Sequence, residues 1–171
     1  MIYTIGHSTH SAEAFLTLLE SHQVGQLADI RTVPHSRRHP QFGREELASL
    51  LARHDVAYRH FPLLGGLRAP RKDSRNTAWQ QRGFRGYADH MQTGDFAQGL
   101  EDLLTFARNK TTAVMCAEAV WWKCHRRLLS DALLVRGVPV LHILPSGEPK
   151  PHELGASARV EDGKVIYPGL L

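Results

Sequence analysis

The sequence predicts an α/β fold, a single domain in which a largely parallel central sheet is flanked by helices and followed by a small C-terminal hairpin. Strand-like apolar runs alternate with amphipathic helical segments along the N-terminal half. The run 111–116 is apolar and β-branched, which is typical of a strand covered on both faces. Near the end of the chain, Asp162-Gly163 separates two short runs and is a preferred hairpin turn.

Each element follows from its local pattern. Apolar residues recurring at three- and four-residue intervals predict five helices, at about 12–22, 44–54, 87–91, 96–108 and 124–136. Ser11 is placed to cap the first of them. Short apolar or alternating runs predict strands at 1–5, 24–31, 56–61, 111–116, 138–144, 158–160 and 164–167. The segments 33–42 and 62–82 contain prolines and many basic residues, and both are predicted to be loops.

Length and composition set the broad class. The 171 residues suit one domain, taken as 1–171, since no linker or repeat divides them. No stretch approaches the roughly 20 apolar residues of a membrane span, and no signal peptide is evident, so we expect a cytoplasmic protein without a membrane partner. The net charge of +4 favours anionic partners, either small molecules or nucleic acid. A homodimer is compatible with this composition.

Polar residues stand where the predicted strands end. The first strand is followed by His7 and Ser8, and the second ends in Asp29 and Arg31. The apolar run 111–116 ends in Cys116, and His142 lies near the end of a later strand. Because ligands of parallel sheets bind beyond the carboxyl ends of the strands, we expect these groups to converge on one site.

The segment 115–131 contains the largest group of potentially reactive side chains. Cys116, placed just after a buried strand, is a candidate nucleophile or redox thiol, and Glu118 a candidate acid or base. His125 titrates near neutral pH when unperturbed. Cys124 and Arg126 stand at a predicted helix start, where amides and guanidinium bind anions. A structural alternative is that the cysteines only pack in the core.

Two further segments supply candidate substrate ligands. Ser36 and Arg37 belong to a basic loop after the second strand, and Gly65-Gly66 permits close approach of the backbone to a ligand or forms a tight turn. Neither the P-loop nor the Rossmann pattern is present, so no cofactor is expected. The three tryptophans, Trp79, Trp121 and Trp122, suit either base stacking or core packing.

The chain resembles a widespread bacterial and archaeal family known as domain of unknown function 488 (DUF488). The resemblance spans almost the whole sequence and is carried by a set of short motifs: Thr4-Ile5-Gly6-His7-Ser8, Asp29-Ile30-Arg31 with Pro34 and Ser36, Phe42, Leu64-Gly65-Gly66, Gly83-Phe84 with Tyr87, Cys116-Ala117-Glu118, Cys124-His125-Arg126 and His152-Glu153-Leu154. It implies an α/β fold and an intracellular setting, and it adds Tyr87 to the candidate substrate ligands. It implies no particular reaction.

Together these observations support a small intracellular enzyme acting on an anionic substrate related to nucleotides or nucleic acid. Its catalytic candidates are Cys116, Glu118, His125 and Asp29, the last of which would orient an arginine or the histidine. The first alternative is a non-catalytic nucleic-acid-binding domain that grips phosphate with its basic loops. The second is a metal-dependent enzyme using Cys116, Glu118, Cys124 and His125, although their spacing matches no strong zinc signature and our leading hypothesis includes no metal.

Overall fold

The computed structural model describes residues 1–170 and confirms the predicted α/β class. The helices are α1 (Ala12–Ser21), α2 (Arg44–Arg53), α3 (Arg82–His90), α4 (Gly94–Phe106) and α5 (Arg126–Val135). The strands are β1 (Ile2–Gly6), β2 (Gln26–Asp29), β3 (Ala57–His60), β4 (Thr112–Cys116), β5 (Val140–His142), β6 (Lys150–Pro151), β7 (Arg159–Glu161) and β8 (Lys164–Ile166). Short 3-10 turns occupy Pro40–Phe42, Pro62–Leu64 and Trp121–Lys123.

Six strands form the central sheet in the order β3-β2-β4-β1-β5-β6, and all neighbours are parallel except β5 and β6. The strand β6 was not predicted, since two residues carry no periodic signal. Its Pro151 is tolerated because β6 lies at the edge of the sheet. The predicted hairpin is present as β7 and β8, with positive φ at both Asp162 (51°) and Gly163 (75°).

The sheet is covered on both faces. Alternate residues of β4 show this, because Ala113 and Met115 belong to one apolar cluster and Val114 and Cys116 to the other. The first cluster includes the buried residues of α1 and α2, and the second those of α3, α4 and α5. The site described below therefore lies at an edge between two layers of helices.

Two helix starts differ from the prediction. Helix α3 begins at Arg82 rather than at residue 87, because glycines gave the segment an irregular appearance. Gly86 is required within the helix, since a Cβ there would overlap the carbonyl oxygen of Arg68. Helix α5 begins at Arg126 rather than at residue 124, since the chain first makes the 3-10 turn Trp121–Lys123.

Candidate active site

The carboxyl ends of β1, β2 and β4 meet at one edge of the sheet, as expected. In the strand register Gly6 lies opposite Cys116, and Asp29 lies opposite Met115. The chain leaves β1 toward α1 and leaves β4 toward α5, which cover opposite faces of the sheet. Neighbouring strands whose connections diverge in this way leave a crevice between them, and such crevices are where open α/β sheets bind ligands.

Two reduced thiols lie in contact at this crevice. The Sγ atoms of Cys116 and Cys124 are 2.9 Å apart, and both residues are buried. Cys124 Sγ also accepts hydrogen bonds from Arg126, at 3.3 Å from the backbone N and 3.2 Å from Nε. Because Arg126 donates twice to Cys124, and the Cys116 thiol is close enough to donate as well, the negative charge of the pair is stabilised on the Cys124 sulfur.

The pKa values of the two thiols separate accordingly. Burial by itself would raise the pKa of Cys124, but the Cys116 thiol and the Arg126 guanidinium lower it to about 6. Burial raises the pKa of Cys116, and its hydrogen bond to Cys124 raises it further. Cys124, rather than the predicted nucleophile Cys116, is therefore the thiolate of the pair.

Arg126 is almost fully buried, at 1% exposure, behind the thiols. Its Nη2 donates to the Glu118 carbonyl oxygen at 2.7 Å, and its Nη1 donates to Thr4 Oγ1 at 3.4 Å. Its side chain does not line the pocket. The predicted direct contact between Arg126 and a substrate anion is therefore absent, because the guanidinium stabilises the thiolate instead.

Asp29 and Arg31 form a buried, bidentate ion pair. The Nε and Nη2 atoms of Arg31 donate to the two carboxylate oxygens of Asp29, at 2.9 and 2.7 Å. The third guanidinium nitrogen, Nη1, donates to the Phe42 carbonyl oxygen at 2.8 Å. Of the two roles predicted for Asp29, the geometry matches the orientation of an arginine rather than of His125.

Two of the histidines that line the pocket, His7 and His125, are neutral at pH 7. His125 Nε2 donates to the Ile30 carbonyl oxygen at 2.8 Å, and His7 Nδ1 donates to the Ser8 carbonyl oxygen at 3.0 Å. Burial lowers the pKa of each to about 4. The expectation that His125 titrates near neutral pH is thus wrong. Its ring is enclosed, and the single hydrogen bond to the Ile30 carbonyl oxygen stabilises the protonated form too little to offset the effect of burial.

A pocket of about 430 Å³ opens above these groups, a volume within the range of small-molecule sites. Cationic, imidazole and thiol groups line it together with an apolar rim. Eight of the predicted site residues lie on its wall: His7, Arg31, Ser36, Gly66, Cys116, Glu118, Cys124 and His125. Seven do not: Ser8, Asp29, Arg37, Gly65, Tyr87, Arg126 and His142.

The glycine pair shapes the wall by contacting the protein itself. A Cβ at Gly65 would lie 2.6 Å from Thr32 Oγ1, and a Cβ at Gly66 would overlap the His125 ring. Tyr87 is also buried, with its hydroxyl 3.0 Å from the Leu64 carbonyl oxygen. These residues hold the pocket wall in place, and only Gly66 faces the cavity.

His142 belongs to a buried hydrogen-bonded chain that starts from Arg126. Thr4 Oγ1 lies 2.6 Å from His142 Nδ1, and His142 Nε2 lies 2.9 Å from His152 Nδ1. His152 Nε2 lies 2.8 Å from Asp131 Oδ1. Because a carboxylate accepts only, His152 Nε2 donates to Asp131 at the end of this chain. His142 therefore supports the site from behind rather than contacting a ligand.

Of the three tryptophans, two pack against other aromatic rings and one is partly exposed on the surface. Trp121 stacks on His142 with ring centroids 4.1 Å apart, and Trp79 packs against Phe84 and Tyr167. Trp122 is 44% exposed. None of the three tryptophans lines the pocket, so base stacking has no support there.

The four ligands of the metal hypothesis do not gather around one point. Glu118 has an exposed side chain at the pocket rim, while its carbonyl oxygen faces Arg126. Within residues 1–170, no group of three or more His, Cys, Asp or Glu side chains is arranged to hold a metal ion.

Several residues of the site were missed by the sequence reasoning. Lys123 lines the pocket, and exposed Val33 and Leu67 form its apolar rim. Gly6 has no room for a side chain, and Thr4 joins Arg126 to the buried histidines. Thr4 and Gly6 stand in the motif Thr4-Ile5-Gly6-His7-Ser8 that carries the family resemblance, and Gly6 precedes the predicted site residues His7 and Ser8, but neither was assigned a role of its own.

Comparison with known proteins gave one match. A family model described as "Domain of unknown function DUF488" matches residues 11–133. No curated protein and no solved structure matches the chain. None of the helices within residues 1–170 has the length and apolar character needed to cross a membrane.

Proposed function

We propose, from the premise that the chain belongs to the DUF488 family, that this member is a thiol-dependent enzyme acting on a small substrate with an anionic group. The family description names no reaction, so the proposal depends on the site. The observation that carries it is the Cys124 sulfur, which accepts hydrogen bonds from Arg126 and Cys116 at the floor of a pocket. In this proposal Cys124 is the nucleophile.

A thiolate so held is suited to attack an electrophile at neutral pH. With the pKa of Cys124 near 6, most of this thiol is ionised at pH 7. An ordinary cysteine, with a pKa near 8.5, is only a few per cent ionised at that pH. Two cysteines that merely packed in the core would not require the fixed guanidinium of a buried arginine.

Two cationic side chains on the pocket wall support an anionic substrate group. Arg31 presents a guanidinium that is held rigidly by Asp29 and Phe42, and Lys123 lies at the exposed rim. A fixed guanidinium binds a carboxylate or phosphate at little cost in side-chain entropy. The nucleotide part of the hypothesis would need the base to reach Trp79 or Trp122, which line an adjoining groove that shares Glu118 and Lys123 with the pocket.

The nucleic-acid-binding alternative is less well supported. Arginines of the loop 62–82 contact their own chain: Arg71 pairs with Asp73, Arg75 pairs with Glu161, and Arg68 donates to backbone carbonyls. These arginines are held by partners of their own, as Arg31 is, so the alternative depends mainly on the exposed Arg37 and Arg38 of the loop 33–42 for its phosphate contacts.

Alkylation kinetics test the proposal. We expect iodoacetamide to label Cys124 before Cys116, with a rate that rises through an apparent pKa of about 6. The rate of labelling with negatively charged iodoacetate, divided by the rate with iodoacetamide, should be higher than the same ratio for free cysteine, and Lys123→Gln should lower it. Labelling of both thiols at no more than the rate of the urea-unfolded chain would refute the proposal.

Glu118 stays in the proposal as an acid or base at the rim. Its carboxylate is exposed beside the cavity, where it can exchange protons with solvent and substrate. Glu118→Gln keeps the carbonyl contact to Arg126 and should leave the alkylation of Cys124 unchanged. A slower reaction with a substrate that needs proton transfer would then isolate the role of the carboxylate.

A further inference from the structure

We infer that Cys116 and Cys124 form a disulfide during turnover, and that the site reduces a small disulfide that carries an anionic group. The inference rests on the proposed function, because it uses the same nucleophile and the same pocket. Its basis is the placement of a second sulfur 2.9 Å from the first, with both facing the cavity.

The two sulfurs are already close to bonding distance. A disulfide bond is about 2.05 Å long, so the Sγ atoms need to approach by only about 0.9 Å. Cys116 ends β4, whereas Cys124 follows the 3-10 turn Trp121–Lys123, so a small shift of residues 117–124 closes this gap. Cys116 is therefore in position to resolve an intermediate formed on Cys124.

In the first step, the Cys124 thiolate attacks one sulfur of the substrate disulfide. The bond between the Cys124 sulfur and that sulfur forms, the substrate S–S bond breaks, and one substrate half departs as a thiolate. This half takes up a proton, and Cys124 carries the other half as a mixed disulfide. A substrate carboxylate near Arg31 would hold the disulfide over the thiolate.

In the second step, the positive charge of Arg126 becomes available to stabilise a thiolate at Cys116. Once Cys124 is bonded to sulfur, its negative charge is lost, and Arg126 no longer has an anionic partner on that atom. The Cys116 thiol then loses its proton, which solvent carries to the departing thiolate, and the Arg126 guanidinium stabilises the new anion.

Cys116 then attacks the Cys124 sulfur of the mixed disulfide. The Cys116–Cys124 bond forms and the second substrate half departs as a thiolate, which is protonated. In the net reaction, the two cysteines are oxidised by two electrons and one disulfide is reduced to two thiols. One of the two protons taken up comes from Cys116 and the other from solvent, because Cys124 starts as the thiolate. A second low-molecular-weight thiol, different from the released one, returns the two cysteines to their reduced form in the same two exchange steps, and two molecules of it are oxidised to one disulfide.

Mass spectrometry with glutathione disulfide, which bears carboxylates, tests the inference. After incubation, acid quenching and alkylation, wild type should lose two hydrogens, resist alkylation and yield a peptide linking Cys116 to Cys124. Two glutathione molecules should be released per chain. Cys116→Ser should stop at one glutathionyl group on Cys124, whereas Cys124→Ser should carry no adduct. The cationic disulfide cystamine should react more slowly.

The outcomes separate the inference from the proposed function. A wild-type product that keeps the glutathionyl group overturns the inference and leaves Cys124 as the nucleophile. A wild type inert to both glutathione disulfide and iodoacetamide overturns both. Equal or faster reaction with cystamine overturns the anionic substrate and with it this inference. The wild-type measurement decides even where a serine variant fails to fold.

Discussion

At the scale of single residues, Gly6 shows how tightly the thiol site is built. A Cβ at this position would overlap the carbonyl oxygen of Glu118, the same oxygen that accepts a hydrogen bond from Arg126. Any side chain would therefore push the segment after β4 away from the guanidinium. The φ of Gly6 is not positive, so the backbone conformation would accept another residue. Glycine is needed here because no side chain fits.

We expect Gly6→Ala to lower the free energy of unfolding by about 3 kcal/mol, because overpacking a rigid site forces the backbone to move. Urea unfolding followed by circular dichroism measures the change. Gly94→Ala is the matched control, since a Cβ there meets nothing within 4 Å and the residue begins α4. Equal stability of the two variants would show that the Glu118 carbonyl moves freely.

The charge on Arg126 accounts for the ionisation of Cys124. Replacing it by methionine should raise the pKa of Cys124 well above 6, because the thiolate loses its adjacent cation. Arg126→Lys keeps the charge and should raise the pKa less. The pH dependence of iodoacetamide labelling measures the shift.

Arg127→Met is the control for this experiment. The neighbouring guanidinium lies 5.0 Å from the centroid of the Trp79 ring and makes no contact with the thiols. Its removal should leave the pKa of Cys124 in place. An equal shift in both variants would assign the effect to net charge rather than to the hydrogen bonds of Arg126.

At the scale of elements, a buried polar chain ties β5, α5 and the end of the hairpin together. Asp131 in α5 accepts from His152, from the Tyr167 hydroxyl at 2.7 Å and from the backbone of Gly155. All these groups lie behind the thiols, and the chain reaches Arg126 through Thr4. The C-terminal segment therefore supports the site from behind, although it lies outside residues 11–133, which the family model matches.

We expect Tyr167→Phe to reduce the free energy of unfolding by about 1–3 kcal/mol, because it leaves a buried carboxylate oxygen short of a donor. Tyr3→Phe removes a hydroxyl that makes no hydrogen bond within residues 1–170 and should change stability little. Chemical denaturation of both variants tests this pair. A Tyr167→Phe protein as stable as wild type would mean that water replaces the hydroxyl.

At the scale of the whole molecule, the histidines couple folding to pH. Burial lowers the pKa of His7 and His125 to about 4 and that of His142 to about 3, compared with 6.5 in an unfolded chain. Between these limits the unfolded chain binds protons that the folded protein does not. The contribution of these histidines to stability is therefore fully present above pH 6.5 and is lost as the pH falls toward 4.

We expect the free energy of unfolding to fall by about 1.4 kcal/mol per pH unit for each histidine that titrates only in the unfolded chain. Urea unfolding at a series of pH values gives the slope. His125→Asn should make the slope shallower, whereas His35→Asn, at an exposed position, should not. A stability that stays constant between pH 6.5 and 4 would contradict the burial of these rings in neutral form.

The sequence by itself determined the presence of the five helices and of every strand except β6, the fold class and the edge of the sheet where the site lies. Periodicity reports which residues face the core, and parallel strands necessarily bring their carboxyl ends together, so Asp29 and Cys116 were predicted to converge. The resemblance to the DUF488 family is likewise confirmed by the match over residues 11–133. These features depend on local pattern and on the topology that it implies.

Only the tertiary structure decided which thiol is ionised and which arginine faces the pocket. Arg126 reaches Cys124 and Glu118 by turning inward, and its contact with Thr4 joins positions 122 residues apart in the chain. Arg31, not Arg126, lines the cavity, because Asp29 and Phe42 fix its direction. Side-chain direction depends on packing between distant segments, and pKa depends on distances of a few ångströms, neither of which a local pattern records.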